Sequence, residues 1–169
     1  MAIDVYAADE QADRAVDLDR WAALARDVLT DRRLRGDVEV SLLFVAEDAI
    51  AALNEQFLGR SGPTDVLAFP IEDEPVPGGR SPDTGGTGPG TDPSDEPTML
   101  LGDVVICPAV AARNAADHEV TVDDELALLV VHGLLHLLGM DHETSREAEE
   151  MEALERRLLG RYHRRDGPS

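Results

Sequence analysis

Three histidines carry the densest chemistry in the chain. His132 and His136 stand four residues apart, and Gly139 separates them from His142 in the run His132-Gly133-Leu134-Leu135-His136-Leu137-Leu138-Gly139-Met140-Asp141-His142. Residues four apart on a helix share a face, with Cβ atoms about 5–6 Å apart, so both imidazoles can reach one ion. Gly139 can take the left-handed conformation that ends a helix. The turn it makes would swing His142 back toward the same point. Three neutral imidazoles with an open fourth position suit a catalytic rather than a structural zinc site. Such a site would bring the pKa of a bound water to about 7. A buried histidine is more often a hydrogen-bonded core residue, but three in so apolar a segment would each need a partner. The expectation is one Zn2+ ion on His132, His136 and His142. Nickel or cobalt would suit three imidazoles as well.

The spacing also matches the metzincin peptidase pattern H-E-x-x-H-x-x-G-x-x-H at His132, His136, Gly139 and His142. It departs at Gly133, where a peptidase carries the Glu that activates water. The metal cradle is kept and the peptidase base is absent. Asp141 and Glu143 flank the last histidine and are candidates for a catalytic base or for supporting the ligands. Capping of the following helix is the alternative role for each. A structural zinc site would usually include Cys. Cys107 is the only one, and its strand-end, core-like setting reads as burial. His118 and His163 fall outside the pattern and read as surface residues.

The elements that would hold these residues follow from periodicity. Ile3–Tyr6, Val38–Val45, Val66–Phe69 and Met99–Ile106 read as strands. Helical stripes run over Leu18–Leu34 and Asp48–Leu58, and Pro108 opens a helix ending near Asp117. Thr121 with Asp124 resembles a capping box, and Leu126–Leu138 is apolar nearly all round, the mark of a central buried helix. A last amphipathic helix spans Ser145 to Leu159, with Gly160 as its stop. The order predicts a single α+β domain over 1–169: a mixed, roughly four-stranded sheet packed with about five helices. The metal site would sit at the end of the central helix. Residues 72–98 are rich in Pro, Gly, Asp, Thr and Ser and read as a flexible acidic insertion between two strands.

The formal net charge of −20 argues against general affinity for nucleic acid, which needs clustered cations. All fifteen cations are Arg; Arg156, Arg157, Arg161, Arg164 and Arg165 form one basic stretch, and Arg32, Arg33 and Arg35 a smaller one. Both read most simply as solvated surface charge. A single Cys, an acidic first twenty residues and the lack of a long apolar run point to a cytoplasmic protein without a membrane span.

The histidine segment resembles the YbeY family of bacterial endoribonucleases, whose signature H-G-x-L-H-L-x-G-x-D-H is matched at His132, Gly133, Leu135, His136, Leu137, Gly139, Asp141 and His142. The likeness extends through Leu53-Asn54, Pro63–Pro70, Leu101–Ile106 and Met151, Glu155 and Leu158. It implies a zincin-like fold, one zinc ion and cleavage of single-stranded RNA. It also implies work on ribosomal RNA, chiefly the small-subunit RNA end, in maturation and ribosome quality control, with the ribosome and assembly factors as partners. Three departures stand out. Many members carry Arg after the aromatic at Phe57, where this chain has Leu58, leaving Arg60 as the candidate phosphate ligand. Position 68, often Ser, is Ala68, and residues 72–98 are longer and more acidic than the usual connector. Two other readings remain open at this point: a zinc peptidase of unusual type, and a non-catalytic ribosome-assembly factor with structural zinc.

Overall fold

A computed structural model describes residues 3–34, 36–71, 99–140 and 144–163, and among these described residues four strands and five helices follow one another. The strands are β1 (Ile3–Glu10), β2 (Val38–Val45), β3 (Val66–Pro70) and β4 (Met99–Ile106). The helices are α1 (Leu18–Asp31), α2 (Glu47–Leu58), α3 (Pro108–His118), α4 (Val122–Leu137) and α5 (Ser145–Tyr162). The predicted insertion at 72–98, together with Arg35, Asp141, His142, Glu143, Arg164 and Arg165, lies outside the described residues.

The sheet order is β1-β2-β4-β3, with β1, β2 and β4 parallel and β3 antiparallel to β4. The mixed α+β architecture expected from the element order is therefore present. β1 is longer than its sequence pattern suggested: pairing with all eight residues of β2 carries it to Glu10. One sheet face and α1, α4 and α5 enclose the main core, which includes Trp21, Val28, Phe44, Val104, Ile106, Leu134, Leu135, Met151 and Leu158. Burying side chains of this size contributes about 1.5–3 kcal/mol each. A smaller cluster on the other face joins Ile50 of α2 to Val45, Leu67, Val105, Cys107 and Val110.

The helix ends have identifiable causes. Thr121 Oγ1 accepts from the Asp124 N–H at the start of α4. A complete capping box opens α5, where Thr144 Oγ1 accepts from Glu147 N–H and the Glu147 carboxylate accepts from Thr144 N–H. At the other end of α4, Gly139 has φ +95°. Its N–H donates to His136 C=O and the Met140 N–H donates to Leu135 C=O, a Schellman closure.

Two expectations about the C-terminus need correction. Gly160 does not stop α5, which continues to Tyr162. A helical Gly costs only about 1 kcal/mol, and tertiary contacts hold the last turn. Tyr162 Oη donates to Asp31, and the His163 ring meets Asp124 Oδ1 at 2.9 Å. Nor is His163 a surface residue: its side chain is 6% exposed, placed by that pairing and by packing near Trp21. His118 is on the surface, with its ring 58% exposed, but it meets the buried carboxylate of Glu125 at 3.1 Å.

α4 lies unusually close to the sheet. A Cβ added at Gly133 would stand 2.6 Å from Val104 Cγ1 and 3.1 Å from Cγ2, inside van der Waals contact with a stiff, buried, β-branched side chain. Gly133→Ala should therefore destabilise the fold by about 1–3 kcal/mol. Denaturant titration of both single variants and the double variant with Val104→Ala checks the cause, since the penalty should shrink once Val104 is truncated. A second expectation concerns pH. The hydrogen bond to Glu125 raises the His118 pKa above its ordinary value of 6.5. The stabilisation is full below that value and fades as pH rises through the elevated one. Melting curves of His118→Gln should fall further below wild type at about pH 5.5 than at about pH 8.5.

Candidate metal centre

Two successive turns of α4 bring His132 and His136 to an open cleft of about 530 Å3. Its walls come from α2 and the turn after it (Asn54, Leu58, Arg60), from the start and length of β3, and from Gly133 between the histidines. The two Nε2 atoms lie 3.1 Å apart, with ring planes inclined at 79°. Two nitrogens bound tetrahedrally to zinc at about 2.0–2.1 Å would lie about 3.3 Å apart. The separation between the rings is thus close to that of a chelating pair.

The orientation of the first ring has a definite source. Glu155, 7% exposed on the inward face of α5, makes a short hydrogen bond to His132 Nδ1. A carboxylate accepting from Nδ1–H leaves the Nε2 lone pair for a cation, and carboxylate–histidine pairs of this kind stand behind metal-ligating imidazoles. Sequence inspection did not assign Glu155 that role. Its signal was a carboxylate at the core-facing spacing Met151, Glu155, Leu158, where an apolar residue would be expected.

The remaining expected residues divide clearly. Arg60 reaches the cleft wall. Gly59, with φ +66°, ends α2 and turns the chain, while the buried Asn54 donates Nδ2–H to Gly62 C=O at 3.0 Å. Leu58 and Arg60 consequently line the same cleft, although two positions separate them. His142, Asp141 and Glu143 lie outside the described residues; among those described, no group of three His, Cys, Asp or Glu side chains converges as a ligand set. The N-cap of α5 is Thr144. Cys107 packs in the smaller apolar cluster, and burial raises its thiol pKa. It does not border the cleft.

Gly133 also explains the missing peptidase carboxylate. The close approach of α4 to Val104 leaves no space for a side chain at that position. The arrangement offers two converging imidazole nitrogens, a buried carboxylate behind one of them and a cation on the cleft wall, a donor set suited to a borderline-soft divalent cation.

The family model described as Endoribonuclease YbeY matches residues 6–163. Among curated proteins, the chain is 43% identical over 147 residues to an Endoribonuclease YbeY of Salinispora tropica, covering 87% of this chain and 88% of that one. It is 44% identical to an Endoribonuclease YbeY of Beutenbergia cavernae, covering 85% and 87%. The solution structure of a Thermotoga maritima protein aligns with a TM-score of 0.53 at 25% identity over 99% of both chains.

Removing the carboxylate behind His132 should loosen metal binding without touching a ligand. Glu155→Ala is expected to lower divalent-metal affinity about 10–100-fold. Glu155→Gln, which keeps an acceptor but not the charge, should fall between. Competition titration against a chromophoric chelator reads the affinity, and melting of the metal-free proteins separates it from stability. Unchanged affinity in both would remove the positioning role.

Proposed function

The chain belongs to the Endoribonuclease YbeY family, and from that membership we propose that it is a zinc-dependent endoribonuclease cutting single-stranded RNA. The observation that carries the reading is the approach of the His132 and His136 Nε2 atoms to 3.1 Å in an open cleft, with Glu155 fixing the first ring. His132, His136 and His142 would hold the ion. When bound, a zinc ion supplies Lewis-acid chemistry suited to hydrolysis of a phosphodiester.

The chain's own groups do the rest. Glu155 holds His132 in the tautomer whose Nε2 faces the cleft. Arg60 is the one cation lining the cleft among the described residues, and its guanidinium suits a phosphate oxygen. Asp141 or Glu143 is assigned the handling of the proton, by adjacency in sequence to His142. An open cleft admits nucleotides splayed out of a stack, whereas duplex RNA presents its bases paired and stacked. That is the physical reason to expect selectivity for single strands.

The proposed setting is maturation of ribosomal RNA, particularly the small-subunit RNA end, with quality control of ribosomes as a related task. Cytoplasmic location belongs to the same proposal; among the described residues no helix is long and apolar enough to cross a membrane. The net charge of −20 makes broad RNA affinity unfavourable, so substrate choice would rest on local contacts and on ribosomal partners. A peptidase reading is disfavoured by the steric block at Gly133.

The test pairs elemental analysis with cleavage assays on single- and double-stranded RNA. His136→Ala should lose both bound zinc and cleavage, and metal-free wild type should recover cleavage on adding zinc back. Full activity of the metal-free protein would refute the proposal.

A further inference from the structure

β3 is an edge strand, and its free side belongs to the cleft. It stands last in the sheet order, so among the described residues no strand lies beyond it. Its hydrogen-bond parity is fixed at both ends: Cys107 N–H donates to Asp65 C=O at 2.9 Å and Ile71 N–H donates to Leu101 C=O at 3.2 Å. These residues are directly opposed when the antiparallel register Val66↔Ile106 to Pro70↔Gly102 is extended one step each way. Hydrogen-bonded and non-hydrogen-bonded pairs alternate in such a ladder. Residues 65, 67, 69 and 71 therefore turn their main-chain groups toward β4, while Val66 and Ala68 turn theirs to the open edge. Pro70 has no N–H, so the donor row ends at Ala68.

The same segment forms a wall of the histidine cleft, from Thr64 to Ala68 and again at Pro70. Leu67 borders the cleft although its side chain is packed in the smaller apolar cluster, which means that its main chain forms that part of the wall. The cleft thus has Arg60 as its cation and Asp65 opposing it among the described lining residues. In a chain of net charge −20, this is little positive charge for a polyanion. Outward peptide N–H groups bind anions without adding charge.

We propose that the outward N–H groups of Val66 and Ala68 hold the sugar–phosphate backbone of the RNA strand, presenting it to His132 and His136. The assignment rests on the endoribonuclease reading and names the groups that position its substrate. Donors two residues apart on a strand are spaced about 6.6 Å, comparable to successive phosphates along an extended single strand. The outward C=O groups of the same residues suit a ribose 2′-hydroxyl, which RNA has and DNA lacks.

The experiment replaces Ala68 by lactic acid in the full, metal-loaded chain, converting one amide to an ester; this deletes the Ala68 N–H and weakens the Leu67 C=O as an acceptor toward β4. A second variant, Ala68→Pro, removes the same donor at a position where edge strands accept Pro. Loss of a hydrogen bond to a charged oxygen should raise KM for a single-stranded oligoribonucleotide about tenfold or more. kcat should stay within about twofold and zinc content should be maintained, with the melting temperature of the ester variant lowered only modestly by the weaker Leu67 acceptor. An unchanged KM in the ester variant, while wild type cleaves RNA, overturns the edge assignment and leaves the endoribonuclease reading standing. Failure of metal-loaded wild type to cleave RNA overturns both. An edge strand can also pair with an extended peptide. If an unstructured polypeptide binds wild type and the ester weakens that binding while leaving RNA KM unmoved, the edge belongs to peptides and the proposal fails.

Discussion

The packing of α4 against β4 is the constraint from which the site follows. At Gly133 the helix comes so close to Val104 that even a methyl group would collide with it. That approach sinks the helix into the core, where Leu126, Val130, Leu134 and Leu135 are buried. It also fixes the rotation of α4 about its axis. With Gly133 held against the sheet, the neighbouring His132 and the His136 one turn on must emerge beside β3, along the margin where core gives way to solvent. A helix lying farther from the sheet could rotate, and the two rings would lose their shared direction.

The second support comes from a distant part of the chain. Placing histidines on an otherwise apolar helix incurs desolvation unless their ring nitrogens are satisfied. Glu155 meets this need for His132 at Nδ1, and α5 can deliver the carboxylate because Met151 and Leu158 anchor the same helix face in the core. The C-terminal end of α5 is secured separately, with Arg157 and Tyr162 on Asp31 and His163 on Asp124. Burial pushes the Asp31 carboxyl up, but the hydrogen bonds from Arg157 and Tyr162 outweigh it and hold the group below its ordinary pKa. The residue that aims the first imidazole is therefore placed by contacts at its own turn and at the end of its helix.

What was legible in the sequence was what local periodicity controls. The pairing of His132 with His136 is a statement about one helix turn, and the Gly139 stop requires only a left-handed residue. β2 and β4 were readable to the residue because runs of apolar and β-branched residues are bounded by turn formers. Contacts across the fold were not legible in this way. Glu155 lies 23 residues from His132, and nothing in its neighbourhood names that partner. His163 looked solvent-exposed because Asp124 and Trp21, which enclose it, belong to other helices. Gly160 looked like a stop because its propensity was visible and the anchoring of the final turn was not. His142 was expected from the turn at Gly139, whereas the RNA chemistry came from the family resemblance, because the residues alone left it open.

Electrostatics then distinguishes what the cleft can recognise from what the surface repels. A phosphodiester approaching a chain of net charge −20 meets unfavourable potential across most directions. Favourable energy within the cleft comes from Arg60 and from short-range donors, the latter acting only after contact and in correct geometry. Leu58 adds no charge to the cleft wall, and the turn at Gly59 brings Arg60 to that same wall. An enzyme built in this manner gives up electrostatic capture over long distance, and with it much of the indiscriminate binding that a basic groove brings. Selectivity then comes from the substrate strand having to fit the cleft before any strong attraction sets in.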